Sequence, residues 1–198
     1  FAKPIKRPPV AAAAPVPMPI PRPVEMKIFG IVGWSGSGKT TLMRQLLPEL
    51  IGRGSRVSTM KHTHHNFDID KPGKDSHMHR EAGAHEVLIT GARRWAILHE
   101  NRETPEPDID ALLTRLEEVD LVLIEGFKSH GHAKMEIHRP VVGKSLLAAE
   151  DTSIVAVASD GPVSLDGRVV LDLNNIPAIA DFIVAYCGLR GQVQDGAA

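Results

Sequence analysis

Cysteine is nearly absent: the 198 residues contain one, Cys187, so no internal disulfide and no cysteine-built zinc site is available. A lone thiol suits a reducing compartment, and the cytoplasm is the expected location. Aromatics are scarce too, at 4% of the chain. No uninterrupted apolar run approaches the roughly 18 residues that a membrane-spanning helix needs. Neither sign of charge dominates, with 23 Lys and Arg against 24 Asp and Glu. That balance argues against broad adhesion to nucleic acid or to an anionic membrane, so neither is an expected partner.

Proline, by contrast, is concentrated. Residues 1–25 hold eight of the 15 prolines, at positions 4, 8, 9, 15, 17, 19, 21 and 23, and an alanine run over 11–14. Prolines so spaced forbid the continuous helical apolar stretch of a signal peptide. The composition favours polyproline II and has too little to bury, so residues 1–25 are expected to form an extended arm. A domain over 26–190 and a flexible tail over 191–198 complete the expected organisation.

From Lys27 the pattern interleaves strands with helices. Lys27 to Val32 reads as a buried parallel strand, and Lys39 to Ile51 as a helix with Leu42, Leu46, Leu47, Leu50 and Ile51 on one stripe. Arg56 to Met60 predicts a second strand and Ser76 to Ala82 a short helix. His85 to Thr90 and Arg94 to His99 predict a hairpin, with Trp95 expected to cover core and stacking on a ligand beside Arg93 and Arg94 as the alternative. Asp108 to Glu118 predicts an amphipathic helix leading into the strand Asp120 to Ile124. Lys134 to His138, Ser153 to Ala158 and Val169 to Leu173 predict further strands, and Asn175 to Cys187 a closing helix. The fold class expected is α/β, a mainly parallel sheet flanked by helices, with the hairpin and the strand near Met135 as additions.

Between the first strand and the first helix lies Gly33-Trp34-Ser35-Gly36-Ser37-Gly38-Lys39-Thr40, a match to G-x-x-x-x-G-K-[ST], the P-loop of nucleoside triphosphatases. The glycines let the backbone curl so that amide N–H groups and the positive helix end surround a polyphosphate. Lys39 is expected to reach the β and γ phosphates, Thr40 to offer its hydroxyl to Mg²⁺, and Thr41 to approach the α-phosphate. An acid at a neighbouring strand end is also required. Glu125, which closes the run Asp120 to Ile124 and precedes Gly126, is placed to supply it, with Gly126 N–H toward the γ-phosphate. Asp120, at the other end of that strand, reads as structural.

The polar run Lys61 to Ser76 carries the remaining candidates: Asp68, Asp70 and Asp75 for a metal-bound water, Lys71 and Lys74 for phosphate. A solvated surface loop is the alternative. All ten histidines lie between His62 and His138, and His62, His64 and His65 raise a zinc or nickel reading that lacks cysteine partners.

These segments resemble the molybdopterin-guanine dinucleotide biosynthesis protein B family. The likeness rests on the P-loop, the run Lys61 to Ser76, Arg80 to Ala84, Arg94-Trp95, Glu125-Gly126-Phe127-Lys128 and Val157-Ala158-Ser159-Asp160, and spans 27 to about 187. It implies a P-loop homodimer, assembled partly through the extra strands, that binds GTP with Mg²⁺, hydrolyses it weakly, and assists the guanylyltransferase joining GMP to molybdopterin. By position, Gly33, Ser35, Gly36, Ser37, Gly38, Lys39, Thr40 and Thr41 would hold phosphate. Thr40, Asp70 and Glu125 would serve magnesium, and Lys71, Gly126 and Lys128 would lie at the nucleotide. No catalytic residue is assigned. The guanine-reading motif N-K-x-D is missing, and Asp160 is the candidate to replace it. An ATP-dependent small-molecule kinase and a GTP-dependent metallochaperone are the alternatives. The first lacks an arginine-rich lid after Glu125 and the second lacks cysteine ligands.

Overall fold

A computed structural model describes residues 26–63, 67–165 and 167–189. The expected arm over 1–25, the tail over 191–198, and His64 and His65 lie outside the described residues.

Eight strands and four helices follow one another as β1 (Lys27–Val32), α1 (Lys39–Gly52), β2 (Val57–Lys61), α2 (Asp75–Glu81), β3 (Glu86–Thr90), β4 (Trp95–His99), α3 (Ile109–Leu113), β5 (Leu121–Glu125), β6 (Lys134–His138), β7 (Ile154–Ser159), β8 (Val169–Asp172) and α4 (Ile176–Cys187). Six strands form one sheet in the order β2-β5-β1-β6-β7-β8. Every pairing in it is parallel. No helix of the described residues is long and apolar enough to cross a membrane.

The period-two alternation of β5 sorts its side chains between two cores. Leu121 and Leu123 pack with Phe29 and Ile31 of β1 against Leu42, Leu46 and Leu50 of α1 and Ile179 and Ile183 of α4. Val122 and Ile124 face the other way, onto Ile109, Leu113 and Phe127. Burial on both faces is what a run such as LVLI anticipates in a parallel sheet. Helix α4 starts where Asn175 accepts the Ala178 N–H and ends at Gly188, in the left-handed region at φ 61°. Helix α1 continues through Pro48, which forfeits one internal hydrogen bond without breaking the element.

Three expectations need correction. The strand at Met135 is no addition: β6 lies inside the main sheet, parallel between β1 and β7. Parallel neighbours ordinarily need a long crossover. Here the registers make eight residues enough, because β5 ends with Glu125 opposite Ile31 while β6 opens with Lys134 opposite Gly30. The chain therefore retreats about one residue, roughly 3.3 Å, while stepping sideways over β1. It can do so because Gly30 has no side chain. A Cβ there would stand 2.6 Å from His132 Nε2 and 2.5 Å from Lys134 Cγ.

The second correction concerns the helix expected over Asp108 to Glu118, which spans only Ile109–Leu113. Asp108 caps its start by accepting from Ala111 N–H. At its end, Thr114 turns its hydroxyl onto the Ala111 carbonyl, and the chain passes into turns. The third concerns Trp95, which covers no core and is 61% exposed. In the antiparallel β3-β4 pair, Leu88 lies opposite Ile97 and Thr90 opposite Trp95, so Leu88, Ile97 and Trp95 share one face, and all three are exposed. Helix α2 buries no residue.

Candidate functional site

The P-loop begins where β1 stops. Gly33 sits at φ 149°, and a Cβ on it would approach the Ile137 carbonyl of β6 to 2.5 Å and Ser37 Oγ to 2.6 Å, so only glycine lets the loop start beside β6. Gly36 and Gly38 occupy the left-handed region, and Gly38 caps α1 without any side-chain bond. Ser37 N–H closes onto the Trp34 carbonyl. The amides of Gly36, Gly38, Lys39, Thr40 and Thr41 have no acceptor among the described residues. They are the orphan donors of a helix start, gathered on a curled loop at the positive end of the α1 dipole. Ser37 Oγ is buried without a partner.

Lys39 folds back over this cradle, its Nζ donating to the Gly33 and Trp34 carbonyls at 3.0 Å each. Burial pulls its pKa below the usual lysine value, Glu125 opposes that shift, and Lys128 and Lys61 add to it. Thr40 Oγ1 donates to Glu125 Oε1 at 3.1 Å. Lys61 Nζ lies 3.8 Å from the same oxygen. The parallel register explains the meeting: Glu125 ends β5 opposite Lys61 of β2 and Ile31 of β1, so all three chain ends reach the same edge of the sheet. Asp120, at the opposite end of β5, accepts the Arg56 N–H at 2.6 Å and is structural.

Beyond Glu125 the chain turns through Gly126 at φ 103° and Phe127 at φ 48°, a conformation that costs a non-glycine residue about 1–2 kcal/mol. Phe127 is held there by burial and by the His62 ring, 4.4 Å between centroids. The turn delivers Lys128 onto the indole of Trp34, 4.6 Å from its centroid, and Lys144 approaches the same ring at 5.8 Å. Trp34 Nε1 donates to the Ser145 carbonyl at 2.8 Å, tying the loop around Lys144 to the P-loop. The sequence carried no signal for Lys144. Lys61 stood in the candidate run, but not as the neighbour of Glu125.

Two other candidates are engaged elsewhere. Asp70, almost wholly buried, receives Arg80, which also reaches Asp68 and Glu100. The Asp70 hydrogen bond is the leading cause holding the Arg80 pKa above its usual value. Among the described residues no hydrogen bond or ion pair joins Asp70 to Thr40 or Glu125, and Lys71 is exposed. Asp160, just past β7, accepts from Arg139 Nε at 2.7 Å. Among the described residues no group of three His, Cys, Asp or Glu side chains converges as a metal-ligand set.

A parallel sheet thus carries a glycine-rich, amide-lined loop directly after β1. The sequence profile of the family described as MobB, molybdopterin guanine dinucleotide synthesis protein B, matches residues 28–160. The chain belongs to the MobB family. It is 46% identical over 162 residues to a molybdopterin-guanine dinucleotide biosynthesis adapter protein of Haemophilus influenzae, covering 80% of this chain and 88% of that one. To the adapter protein of the same description from Escherichia coli it is 41% identical over 162 residues, covering 80% and 92%. A crystal structure of molybdopterin-guanine biosynthesis protein B (mobB) superposes with a TM-score of 0.64 at 30% identity, over 80% of this chain and 99% of that one. The MobB profile begins at Ile28 and closes on Asp160, so it takes in every candidate residue of the cradle.

Proposed function

We propose that this MobB-family chain binds GTP with Mg²⁺ in the cradle around Lys39, hydrolyses it weakly, and acts as an adapter for the guanylyltransferase that attaches GMP to molybdopterin. The observation that carries this reading is the convergence of five unpartnered amides, the Lys39 ammonium and the Thr40–Glu125 pair on one loop. Released from the Gly33 and Trp34 carbonyls, Lys39 would neutralise the β and γ oxygens. Thr40 and Glu125 are the residues to hold Mg²⁺, the carboxylate directly or through water, and the ion supplies further charge neutralisation when bound. Gly126 and Lys128, one and three residues past Glu125, would flank the terminal phosphate.

Weak hydrolysis follows from what surrounds Glu125. That carboxylate is already committed to Thr40 and Lys61, which leaves it poorly placed to act as a base on a water. For the base, Asp160 is placed at the end of β7, and its Oδ1 makes no hydrogen bond among the described residues, free to accept from guanine N1 and N2. The exposed face of Leu88, Trp95 and Ile97 supports assembly as a homodimer, since a lone two-stranded hairpin is marginal in water.

The test of the adapter role is a reconstituted transfer of GMP to molybdopterin by the guanylyltransferase, with and without this chain. The expected result is a higher yield with the chain and none of that gain with Lys39→Ala. An equal gain from both would remove the nucleotide from the adapter's task.

A further inference from the structure

The connection from β6 to β7 reaches the P-loop, and the nucleotide reading so far gives it no task. It is fastened there from several sides. Leu146 and Leu147 pack against the cluster of Val32, Ala148, Ile154 and Val157, and Val32 is the last residue of β1 before the P-loop. Glu136, wholly buried on β6, accepts the Leu147 N–H at 3.0 Å and the Ala148 N–H at 2.8 Å. The Ser145 carbonyl accepts the Trp34 indole N–H at 2.8 Å. Hydrogen bonds to a buried carboxylate are among the stronger ones, so the chain arrives at Ser145 on a defined path.

Lys144 stands at the end of that path, after Gly143 in the left-handed region at φ 67°. Its side chain is exposed, yet its ammonium lies 5.8 Å from the centroid of the Trp34 ring, over which the Lys128 ammonium lies at 4.6 Å. The two lysines come from the chain beyond β5 and beyond β6, the strands that flank β1. Among the described residues neither ammonium pairs with a carboxylate. An aromatic face attracts a cation, but two cations at one ring repel each other, so the pair gains most when an anion stands between them.

The surroundings name that anion. Trp34 is itself part of the cradle, its carbonyl accepting from Lys39 Nζ at 3.0 Å and from the Ser37 N–H. Burial lowers the Lys39 pKa and Lys128 adds to the lowering, so the ring and its lysines border the place that Lys39 occupies. The amides of a P-loop grip a diphosphate and a triphosphate alike. What tells the two apart is the charge on the terminal phosphate, and reading it takes cations placed at that end.

We propose that Lys144 is a specificity-determining residue of the nucleotide site: with Lys128 it takes the terminal phosphate and selects a nucleoside triphosphate over the diphosphate. Trp34 is the positioning residue, setting Lys144 through its indole N–H bond to Ser145, and Glu136 holds the same loop from β6. The inference rests on the GTP reading, and its test separates the two.

The test measures, on the full chain with Mg²⁺ at fixed ionic strength, the affinities for a non-hydrolysable GTP analogue and for GDP. Lys144→Gln is expected to lower the ratio of triphosphate to diphosphate affinity about tenfold with GDP affinity unchanged, and Lys144→Arg to keep most of that ratio. Trp34→Phe keeps a ring for Lys128 but loses the N–H that holds Ser145. It is expected to lower the ratio by about threefold alone and to add nothing once Lys144→Gln is present, since the two act as one unit. A ratio unaltered by Lys144→Gln, or equal losses for both nucleotides, would overturn the assignment while leaving nucleotide binding intact. Additive losses in the double variant would overturn the positioning role of Trp34. Binding of neither nucleotide to the native chain would contradict the GTP reading itself, and this inference with it.

Discussion

Thr40 Oγ1 and Glu125 Oε1 meet at 3.1 Å, joining the first turn of α1 to the end of β5. The hydroxyl donates to the acid, and in the proposed reading both are groups for Mg²⁺. Glu125→Gln keeps the shape and removes the charge. Nucleotide binding without metal should be unchanged or tighter, since a negative group leaves the phosphate side. The gain on adding Mg²⁺ should fall about tenfold or more, about 1.4 kcal/mol, in a metal titration of GTP binding. An unaltered Mg²⁺ dependence would remove Glu125 from the metal's neighbourhood.

Asp160 is the proposed reader of guanine, held by Arg139 from one side. Asp160→Ala should narrow the preference for GTP over ATP by about tenfold to a hundredfold, because an unpaired guanine edge loses its charged acceptor. Competition binding with both nucleotides measures it. A preference that survives the substitution would place base recognition elsewhere.

Gly30 is the point where the β5-β6 connection crosses β1, under His132 and against Lys134. Gly30→Ala inserts a carbon where 2.5 and 2.6 Å separate it from those side chains, so the crossing must lift. Overpacking of this kind costs about 1–3 kcal/mol. Urea denaturation should register that loss, and an unchanged midpoint would mean the connection shifts freely.

His132 lies in the same crossing, with both ring nitrogens buried and unpartnered, and burial beside Lys134 pulls its pKa down to about 4. The unfolded chain takes up a proton near pH 6.5, whereas the folded one resists until about 4. Stability should therefore fall as the pH drops through that window, and the contribution is fully present above it. His132 as a whole keeps some exposure, so after screening the loss is about 1–2 kcal/mol. Denaturation midpoints at pH 7 and pH 5 should converge in His132→Gln relative to the native chain. An equal pH slope in both would assign the effect to other groups.

Much of this was legible in the sequence because local chemistry dictated it. The P-loop motif fixes its own geometry, and β1, β5 and β7 are apolar enough to be buried on both faces of a sheet. What was hidden depends on partners far along the chain. In β6 the alternation sets Lys134, Glu136 and His138 on one face, which reads as solvent-facing. Lys134 and Glu136 are in fact buried. Lys134 donates to the Lys128 and His130 carbonyls and to Asp151, while Glu136 accepts the Leu147 and Ala148 N–H groups. Polar residues satisfied in this way pass for surface in any local reading. Likewise the run 61–76 shows its acids as metal candidates from composition, and the ion pairs of Asp68 and Asp70 with Arg80 are not visible in it. The β5-Lys61 contact and the Trp34-Lys144 contact arise from tertiary registers that no spacing encodes.

Calorimetric titration of the full chain with GTP in the presence of Mg²⁺, beside the Lys39→Ala variant, bears most directly on the cradle. Saturable binding of GTP to the native chain, weakened about a hundredfold or more without the lysine, is the predicted outcome. Equal affinity in the two proteins, or no binding to either, would contradict it.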